Sequence, residues 1–308
     1  MVDKMKIYKD FNLKKKHKGA IILIGNFDGV HSGHRKLFNL ANKYKKEFKL
    51  SIGVLTFDPI PKMYFNKKIN HFKISSFDQK KELLSQLGVN FIINKKFDKK
   101  FSKIKSIDFI RKIIFKKLNA RFIFVSNNFK FGNRREGDVA QLIRFQSKYN
   151  YKIIKPEPLK INNKIISSSL IRNFLQRGYL KKANVLLKRN WTILGKVEKG
   201  RQIGKKIGFP TCNIDIKDYV LAKPGVYAVK VNLKNLRSSV KGIANLGYRP
   251  TFNQKKLLLE VHLFNFSRNL YNKYLSVEFI KFIRSEKKFR NAKQLQKQIK
   301  KDLLIAKR

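Results

Sequence analysis

The sequence predicts an α/β fold with a parallel sheet in its first part, and an antiparallel β-barrel followed by a final helix in its second part. Strand-like apolar runs alternate with helical segments in the first part, which is typical of a parallel sheet with helices on both faces. From Trp191 onward, short strand patterns separated by glycines and turn residues indicate an antiparallel barrel. The 308 residues suffice for two cores, and we expect domains at 1–187 and 188–308.

Local signals indicate each element of the first part. Apolar runs predict strands at Ala20–Ile24, Leu50–Phe57, Val89–Ile93, Arg121–Val125 and Tyr151–Ile154. Amphipathic spacing predicts helices at about Gly33–Phe48, Ser76–Gly88, Ser106–Leu118 and Gly137–Tyr149, and shorter ones at Ser168–Arg177 and Leu180–Leu187. In a sheet built from such units, ligands bind at the carboxyl ends of the strands.

The second part consists mainly of short strands. The predicted strands are Thr192–Val197, Gly225–Leu233, Val240–Leu246, Leu257–Phe264 and Ser276–Ile283. A helix from about Asn291 to Leu304 follows them. The sequence contains no internal repeat and no low-complexity linker between the two parts.

The formal net charge of +53 has two possible origins. Clustered Lys and Arg side chains neutralise phosphates, so such a charge is typical of nucleic-acid-binding proteins. Alternatively, the charge reflects a coding sequence rich in A and T, because Lys, Asn, Ile and Phe are abundant while Gly and Pro are few. The lysines are scattered over nearly every predicted element, which favours the second origin. We therefore expect non-specific attraction to nucleic acids and no specific nucleic-acid partner.

Cysteine usage and the start of the sequence indicate the compartment. Cys212 is the single cysteine, which excludes a disulfide within the chain and agrees with a reducing environment. The first residues are basic but no apolar stretch follows them, and the early run ending at Ile24 is too short to cross a bilayer. We expect a cytoplasmic protein with no membrane association.

The most informative motif is Gly25–His34, with the sequence GNFDGVHSGH, between the first predicted strand and the first predicted helix. A strand, a glycine-containing turn and a helix start present free backbone N–H groups to a phosphate. Gly29 and Gly33 permit close backbone approach, and His31 and His34 can donate hydrogen bonds to phosphate oxygens. The motif therefore indicates binding of a nucleoside triphosphate.

A histidine pair at this spacing also occurs outside phosphate-binding sites. Such residues are often surface histidines or helix caps. They can also form part of a metal site, but no third His or Cys lies at ligand spacing in this sequence.

Two polar segments in the first part are further candidates. The segment Ser126–Asp138 follows a predicted strand, and its amides, Asn128 among them, suit contacts to a base and ribose. Ser168 and Ser169 begin a predicted helix, where serines usually act as caps. Together with Arg172, one turn later, they can also bind phosphate. Taken alone, the first segment is better explained as a solvated loop and the second as a helix cap.

The second part carries its own polar segment, Gly200–Asn213. Thr211 and Asn213 alternate along an extended stretch, so both side chains point the same way. A hydroxyl and an amide oxygen are suitable ligands for Mg²⁺ bridged to nucleotide phosphates. Glu260, one of few acids in this part, can accept a proton from an attacking hydroxyl, although its residue type and spacing alone are better explained by an ordinary outward-facing strand glutamate.

The motifs, taken in order from about Ile21 to Leu304, resemble the bacterial bifunctional riboflavin kinase/FMN adenylyltransferase family. The matching segments are Gly25–His34, Thr56–Pro59, Asn128–Gly132, Ile166–Arg172, Gly208–Asn213, Gly225–Val229, Asn245–Phe252, Leu259–Leu263, Leu270–Asn272 and Arg284–Phe289. The resemblance implies a Rossmann-like nucleotidylyltransferase domain at 1–187 and a riboflavin kinase barrel at 188–308.

The resemblance also implies two reactions and the residues that serve them. In the barrel, ATP phosphorylates riboflavin to FMN, with Glu260 as the base and Thr211 and Asn213 binding Mg²⁺. In the first domain, FMN attacks a second ATP to give FAD and pyrophosphate, with His31 and His34 at the phosphates. Implied nucleotide or flavin contacts are Gly25, Phe27, Asp28, Gly29, Gly33, Asn128, Ser168, Ser169 and Arg172 in the first domain, and Gly204, Gly208, Pro210 and Arg249 in the second.

The chain departs from the family pattern at a few positions. Ile165 stands where the family usually has an arginine, beside Ser167–Ser169, where it usually has Ser-Ser-Thr. Cys212 and Asn265 replace a usual alanine and aspartate. Three hypotheses follow: a bifunctional enzyme, a riboflavin kinase whose adenylyltransferase activity is weakened or lost, and a basic nucleic-acid-binding protein.

Overall fold

The computed structural model describes residues 5–200, 204, 208–216, 218–233, 239–250 and 255–307. The side chains of residues 249, 250, 255 and 256 lie outside this description. The backbone forms two compact units, Met1–Asn70 with Phe77–Ser167, and His71–Ser76 with Ser168–Arg308. These bounds describe which parts of the chain pack together. They do not test the predicted division of function at 187/188, which stays a prediction.

The first unit is built on a parallel sheet, as predicted, but the sheet has six strands where five were expected, because Lys6–Tyr8 pairs with Phe91–Ile93 and adds an edge strand. Its strands and two small hairpins are β1 (Lys6–Tyr8), β2 (Ile21–Ile24), β3 (Ile52–Asp58), β4 (Phe91–Lys96), β5 (Phe122–Phe124), β6 (Lys130–Phe131), β7 (Gly137–Asp138), β8 (Lys152–Ile154), β9 (Lys160–Ile161) and β10 (Lys164–Ile165). The sheet order is β1-β4-β3-β2-β5-β8, while β6 pairs with β7 and β9 with β10.

Helices cover both faces of this sheet. They are α1 (Ser32–Phe48), α2 (Pro61–Phe65), α3 (Phe77–Gln86), α4 (Lys99–Ser102), α5 (Ser106–Asp108), a π-helix (Phe109–Leu118) and α6 (Val139–Phe145). Alternate residues of β2 pack into two different cores: Ile22 and Ile24 into one, Ile21 and Leu23 into the other. A central strand buried on both faces explains why β2 is a continuous apolar run.

The strand order places a topological switch point at β2. From β2 the chain continues to β3 and β4 on one side, and β5 then pairs with β2 on its other side. In open parallel sheets, ligands bind in the crevice outside the carboxyl ends of the strands at such a point. Here that crevice is formed by the segments that follow β2 and β5.

Two predicted helices of this unit differ from the structure. The helix expected from Ser106 to Leu118 becomes a π-helix after Asp108. Its apolar residues lie on one buried face in either geometry, so amphipathic spacing does not separate the two. The helix expected from Gly137 begins only at Val139, because Gly137 pairs with Phe131 and the Asp138 carboxylate accepts a hydrogen bond from the Gln141 N–H at 2.9 Å.

The second unit is a closed antiparallel barrel, which confirms the predicted architecture. Its elements are α7 (Ser168–Gln176), α8 (Leu180–Leu187), β11 (Thr192–Glu198), β12 (Cys212–Asp215), β13 (Gly225–Leu233), β14 (Val240–Pro250), β15 (Lys255–Leu263), β16 (Tyr274–Ser285) and α9 (Ala292–Lys307). The strand order around the barrel is β11-β12-β15-β14-β13-β16.

The core of the second unit is aromatic at its centre. Trp191, Tyr227 and Phe279 are fully buried, with ring centroids 4.6 Å apart for Trp191 and Phe279 and 5.0 Å for Tyr227 and Phe279. The Trp191 indole N–H donates to the Ile74 carbonyl at 3.0 Å, which ties the segment His71–Ser76 to this unit. Within the described ranges, no helix is long and apolar enough to cross a membrane.

Candidate active sites

The segment Gly25–His34 forms a strained turn between β2 and α1. Phe27 has φ 47° and Val30 has φ 41°, in the left-handed region that non-glycine residues rarely adopt. Both side chains are buried, Val30 completely. Packing therefore holds the turn in a conformation that the backbone would not choose alone, as is common at ligand sites.

His31 and His34 meet face to face at the start of α1. Their ring centroids are 3.6 Å apart with the planes inclined by 21°. His31 is the N-cap residue, and its Nδ1 accepts a hydrogen bond from the His34 backbone N–H at 3.4 Å. Because this nitrogen is an acceptor, the proton of neutral His31 resides on Nε2.

His34 is held in its neutral form. Burial lowers the pKa of His34 well below its ordinary value, and electrostatic interaction with His31, when that ring is protonated, and with Lys80 lowers it further. Its Nδ1 is buried and has no hydrogen-bond partner within the described part of the chain. The ring also contacts Phe27 edge-on at 5.2 Å, so its orientation is fixed while one polar atom remains unsatisfied.

Gly33 is required by the close packing around this helix start. A Cβ at Gly33 would lie 3.2 Å from the His31 ring and 3.3 Å from the Ile166 carbonyl oxygen. The backbone just before Ser167 therefore lies against the turn of α1. Of the remaining predicted residues in this turn, Phe27 and Asp28 are buried, whereas Gly25 is half-buried.

Asn128 follows β5, at the same edge of the sheet as the turn after β2. Its side chain is exposed, and its Oδ1 accepts a hydrogen bond from the Ser126 hydroxyl at 2.9 Å. Because β2 and β5 are parallel neighbours, the two segments that follow them flank the switch-point crevice.

An aromatic cluster at the ends of β3 and β4 was not singled out from the sequence. Tyr64 and Phe65 of α2 and Phe97 contact each other with centroids 5.2 to 5.7 Å apart. Phe65 is 68% exposed, which is unusual for a phenylalanine in a packed group. The chain has 26 phenylalanines, so composition gives no means of recognising these few.

A buried lysine beneath the turn was also missed. The Lys80 ammonium, on α3, donates to the Asn26 carbonyl at 2.9 Å and to the Thr56 hydroxyl at 3.3 Å. Lys80 is 7% exposed and Thr56 is fully buried. No local sequence signal distinguishes this lysine from the many that lie on the surface.

Ser168, Ser169 and Arg172 belong to α7 of the second unit, not to the unit of the histidines. The Arg172 Nε donates to the Phe72 carbonyl at 2.7 Å, and its guanidinium lies 3.6 Å from the centre of the Phe72 ring. Their predicted contact with phosphate stays a prediction. Ile165 ends the β9–β10 hairpin and is 52% exposed.

The second unit contains a cavity of about 470 Å³. Among its lining residues are three predicted from the sequence, namely Thr211, Asn213 and Glu260, together with Gly204. The predicted residues Gly208 and Pro210 lie in the same exposed segment but do not line it. The Arg249 side chain is outside the described residues, so its predicted contact is not located.

The polar residues of this cavity form a row across three strands. Asn213 on β12 pairs with Glu260 on β15, and Glu260 pairs with Asn245 on β14. The Asn213 Oδ1 is buried and lacks a hydrogen-bond partner among the described residues. A Cβ at Gly200 would collide with the Asn213 amide, so glycine is needed there. An unsatisfied amide oxygen beside the Thr211 hydroxyl fits a divalent cation.

Cys212 lies between these two residues and takes no part in the row. Its thiol donates to the Val261 carbonyl at 3.4 Å, and burial raises the pKa of Cys212 to about 11. The thiol is therefore protonated at neutral pH and is a weak nucleophile. Replacement of the family's usual alanine by this cysteine leaves the polar row intact.

Two features near the cavity were not predicted. The His262 Nδ1 lies 2.8 Å from the Pro210 carbonyl oxygen, directly before Thr211. Arg284 of β16 forms a buried ion pair with Asp302 of α9, the closest nitrogen–oxygen distance being 2.7 Å. Both Arg284 and Asp302 line the cavity, so the final helix forms part of its wall.

Comparison with known proteins assigns the two halves of the chain separately. A family model described as FAD synthetase matches residues 13–170, and one described as riboflavin kinase matches residues 187–308. A crystal structure of a protein named macrolide-efflux protein, from Streptococcus pneumoniae, has the same fold, with a TM-score of 0.86, 26% identity and coverage of 99% of both chains.

Curated relatives match over nearly the whole length. Proteins named bifunctional riboflavin kinase/FMN adenylyltransferase are 38% identical in Buchnera aphidicola subsp. Acyrthosiphon pisum, covering 98% of this chain and 97% of the relative, and 36% identical in Haemophilus influenzae, covering 96% of each. The Escherichia coli K12 relative is 33% identical, with coverage of 94% and 92%. The chain therefore belongs to the bifunctional riboflavin kinase/FMN adenylyltransferase family.

Proposed function

We propose that the two activities of this enzyme are divided between the two described sites. Riboflavin is phosphorylated to FMN in the barrel cavity, and FMN is adenylylated to FAD at the switch point of the parallel sheet. The observation that carries this division is that the Asn213–Glu260 row and the His31–His34 pair belong to different compact units. Both reactions use ATP, which supports the cytoplasm as the working compartment.

In the kinase reaction, Glu260 is the general base. Its carboxylate accepts the proton of the riboflavin 5′-hydroxyl as that oxygen attacks the γ-phosphate of ATP, the bond between the γ-phosphorus and the bridging oxygen breaks and ADP leaves. Its register between Asn213 and Asn245 supports this role, because directly paired residues on neighbouring strands place their side chains on the same face of the sheet, here the face that lines the cavity. The proposed contacts to the nucleotide are Gly204, Gly208, Pro210 and Arg249.

Thr211 and Asn213 are the proposed ligands of Mg²⁺. When bound, the ion neutralises charge on the ATP phosphates during transfer. The Thr211 hydroxyl and the Asn213 Oδ1 would hold it, and the lack of a partner for the Asn213 oxygen among the described residues supports this assignment. Gly200 keeps the space beside the Asn213 amide open.

In the adenylyl transfer, a phosphate oxygen of FMN attacks the α-phosphate of ATP and pyrophosphate leaves. All reacting groups are negative, so the protein contributes positioning and positive potential. The amino terminus of α1 supplies about half a positive charge, and His31 and His34 donate hydrogen bonds to phosphate oxygens. The turn that presents the two histidines is shaped by Gly25, Phe27, Asp28, Gly29 and Gly33.

The aromatic cluster is the proposed contact of the flavin ring in this reaction. The exposed face of Phe65, supported by Tyr64 and Phe97, lies at the carboxyl edge of the sheet, where ligands bind. A flat, apolar ring system gains by stacking on such a surface. The remaining proposed contacts to nucleotide and phosphate are Asn128 and, from α7, Ser168, Ser169 and Arg172.

The proposal is tested by separating the flavins formed from riboflavin, ATP and Mg²⁺. We expect FMN to form first and FAD to follow, and Asn213→Ala to raise the Mg²⁺ concentration needed for half-maximal FMN formation. FAD formation from added FMN serves as the control and should be unchanged in Asn213→Ala. An unchanged Mg²⁺ requirement for FMN formation in this variant would overturn the ligand assignment.

A further inference from the structure

Lys80 lies under the turn that carries the histidine pair, and the reaction proposed above assigns this residue no role. Its ammonium donates to the Asn26 carbonyl at 2.9 Å and to the Thr56 hydroxyl at 3.3 Å. Thr56 also faces the Asn26 carbonyl, at 3.5 Å. Three elements therefore meet at one carbonyl oxygen: the end of β3, helix α3 and the turn after β2.

This carbonyl precedes the strained part of the turn. Asn26 is followed by Phe27, whose φ is 47°, and the turn continues through Val30, whose φ is 41°. A backbone in this conformation persists only when its surroundings hold it. Two hydrogen bonds on the Asn26 carbonyl, one of them from a charged donor, supply such a constraint immediately before the first strained residue.

The burial of Lys80 gives an electrostatic reason to expect that its charge assists the reaction at this turn. A lysine ammonium that is 7% exposed loses most of its hydration, so a fold retains it only where the charge is compensated or useful. The reaction proposed for this site brings the phosphates of FMN and ATP to the turn, and a buried positive charge beneath the turn attracts them strongly because little water screens it.

His34 provides a measurable link between Lys80 and the site. The titratable groups that act on the His34 ring are His31, on the same turn, and Lys80, from α3. Both are cationic when protonated and therefore favour the neutral imidazole. Removal of the Lys80 charge should raise the His34 pKa toward its ordinary value.

We infer that Lys80 is a positioning residue for adenylyl transfer, which holds the Gly25–His34 turn through the Asn26 carbonyl and supplies positive potential beneath the phosphates. The inference rests on the proposed adenylyltransferase role of that turn. It assigns Lys80 no direct contact with substrate, because its hydrogen bonds are made to the protein.

The test compares Lys80→Met, Lys80→Arg and Lys45→Met. Methionine keeps the approximate length of the side chain but removes its charge and hydrogen bonds, whereas arginine keeps both. Lys45 is a matched control in the same unit: its ammonium donates to the Gly88 carbonyl at 2.9 Å and to the Asn90 Oδ1 at 3.0 Å, in the last turn of α1. Each full-length variant is assayed for FAD formation from FMN and for FMN formation from riboflavin.

We expect Lys80→Met to lower kcat for FAD formation at least tenfold, while FMN formation stays within twofold of the unsubstituted chain. Lys80→Arg should recover most of the lost kcat, and Lys45→Met should change it less than twofold. The midpoint of the His34 titration, followed by NMR, should move to higher pH in Lys80→Met. Recovery of kcat by arginine but not by methionine, with FMN formation unchanged, is the result that a role limited to filling space would not produce.

His31→Ala separates failure of this inference from failure of the proposed site. If His31→Ala also left FAD formation intact, the site assignment itself would be wrong. If His31→Ala abolished FAD formation but Lys80→Met kept kcat within twofold, only the inference about Lys80 would be overturned. Should Lys80→Met fail to fold, Lys80→Arg decides: a folded arginine variant without FAD formation contradicts the inference, and an active one supports it.

Discussion

The His31–His34 pair shows how packing changes the chemistry of one side chain. Free in water, His34 would be partly protonated near neutral pH, but burial, together with the electrostatic effects of His31 and Lys80, keeps it neutral. A neutral imidazole donates one hydrogen bond to a phosphate oxygen without adding a charge of its own. Fixed positive potential at this site then comes from the helix terminus and from Lys80.

The same pKa difference predicts how stability depends on pH. In the unfolded chain the ordinary pKa of this imidazole is 6.5, and in the folded chain it is lower. Below pH 6.5 the unfolded state therefore binds a proton that the folded state does not, and the folded first unit becomes less stable as the pH falls, by up to about 1.4 kcal/mol per pH unit.

His34→Gln should reduce this dependence. Hydrogen exchange of the β2 amides at pH 7 and pH 5 measures the free energy of opening of the first unit in both chains. We expect a smaller loss of stability between these pH values in the glutamine variant. Equal losses in the two chains would show that His34 is not a source of the pH dependence.

Ile165 stands at the position where the sequence resemblance implies an arginine. The side chain is 52% exposed at the end of the β9–β10 hairpin, so an arginine can be introduced with little disturbance of packing. We predict that Ile165→Arg raises kcat/KM for FAD formation several-fold, because it adds a fixed positive charge. Ile161→Arg, on the paired strand and 45% exposed, is the control; an equal gain in both variants would indicate a general charge effect.

At the scale of the elements, those specified by neighbouring residues could be predicted from the sequence, whereas those set by tertiary contacts could not. The β2 strand, its turn and α1 are specified by neighbouring residues: an apolar run, glycines and an amphipathic helix. The π-helix at Phe109–Leu118 and the hairpin pairing of Gly137 are set by tertiary contacts that no short window contains. Lys80 and the Phe65 cluster were missed for the same reason, since only the fold separates them from similar residues.

The contact of α9 with the barrel gives a prediction about stability. Asp302 is 1% exposed and forms the ion pair with Arg284 described above, and it also accepts a hydrogen bond from the Gln298 amide at 2.8 Å. Asp302→Asn removes the charged partner of Arg284, whose side chain is 15% exposed, which should lower the free energy of unfolding of the barrel unit by about 2 kcal/mol.

Fluorescence of Trp191 measures this effect directly, because it is the single tryptophan of the chain and lies in the barrel unit. Asp218→Asn is the control: Asp218 pairs with Lys73 at 3.1 Å, but its side chain is 57% exposed, so its loss should cost at most about 1 kcal/mol. Similar losses in the two variants would contradict the assignment of Asp302 as a buried anchor.

At the scale of the whole molecule, the net charge of +53 should produce attraction without sequence recognition. We predict that the chain binds DNA fragments of different sequence equally well, with log K falling steeply as log salt concentration rises, because bulk charge releases counterions. A filter-binding titration measures this. Tight binding to one sequence that persists at physiological salt would instead assign the charge a specific role.

The central claim is that each of the two sites carries one of the two reactions. The most direct test supplies Glu260→Gln and His31→Ala separately with riboflavin or with FMN, together with ATP and Mg²⁺, and separates the flavins formed. We expect Glu260→Gln to lose FMN formation but still convert FMN to FAD, and His31→Ala to form FMN but not FAD. Equal impairment of both reactions by either substitution, in a chain that remains folded, would contradict it.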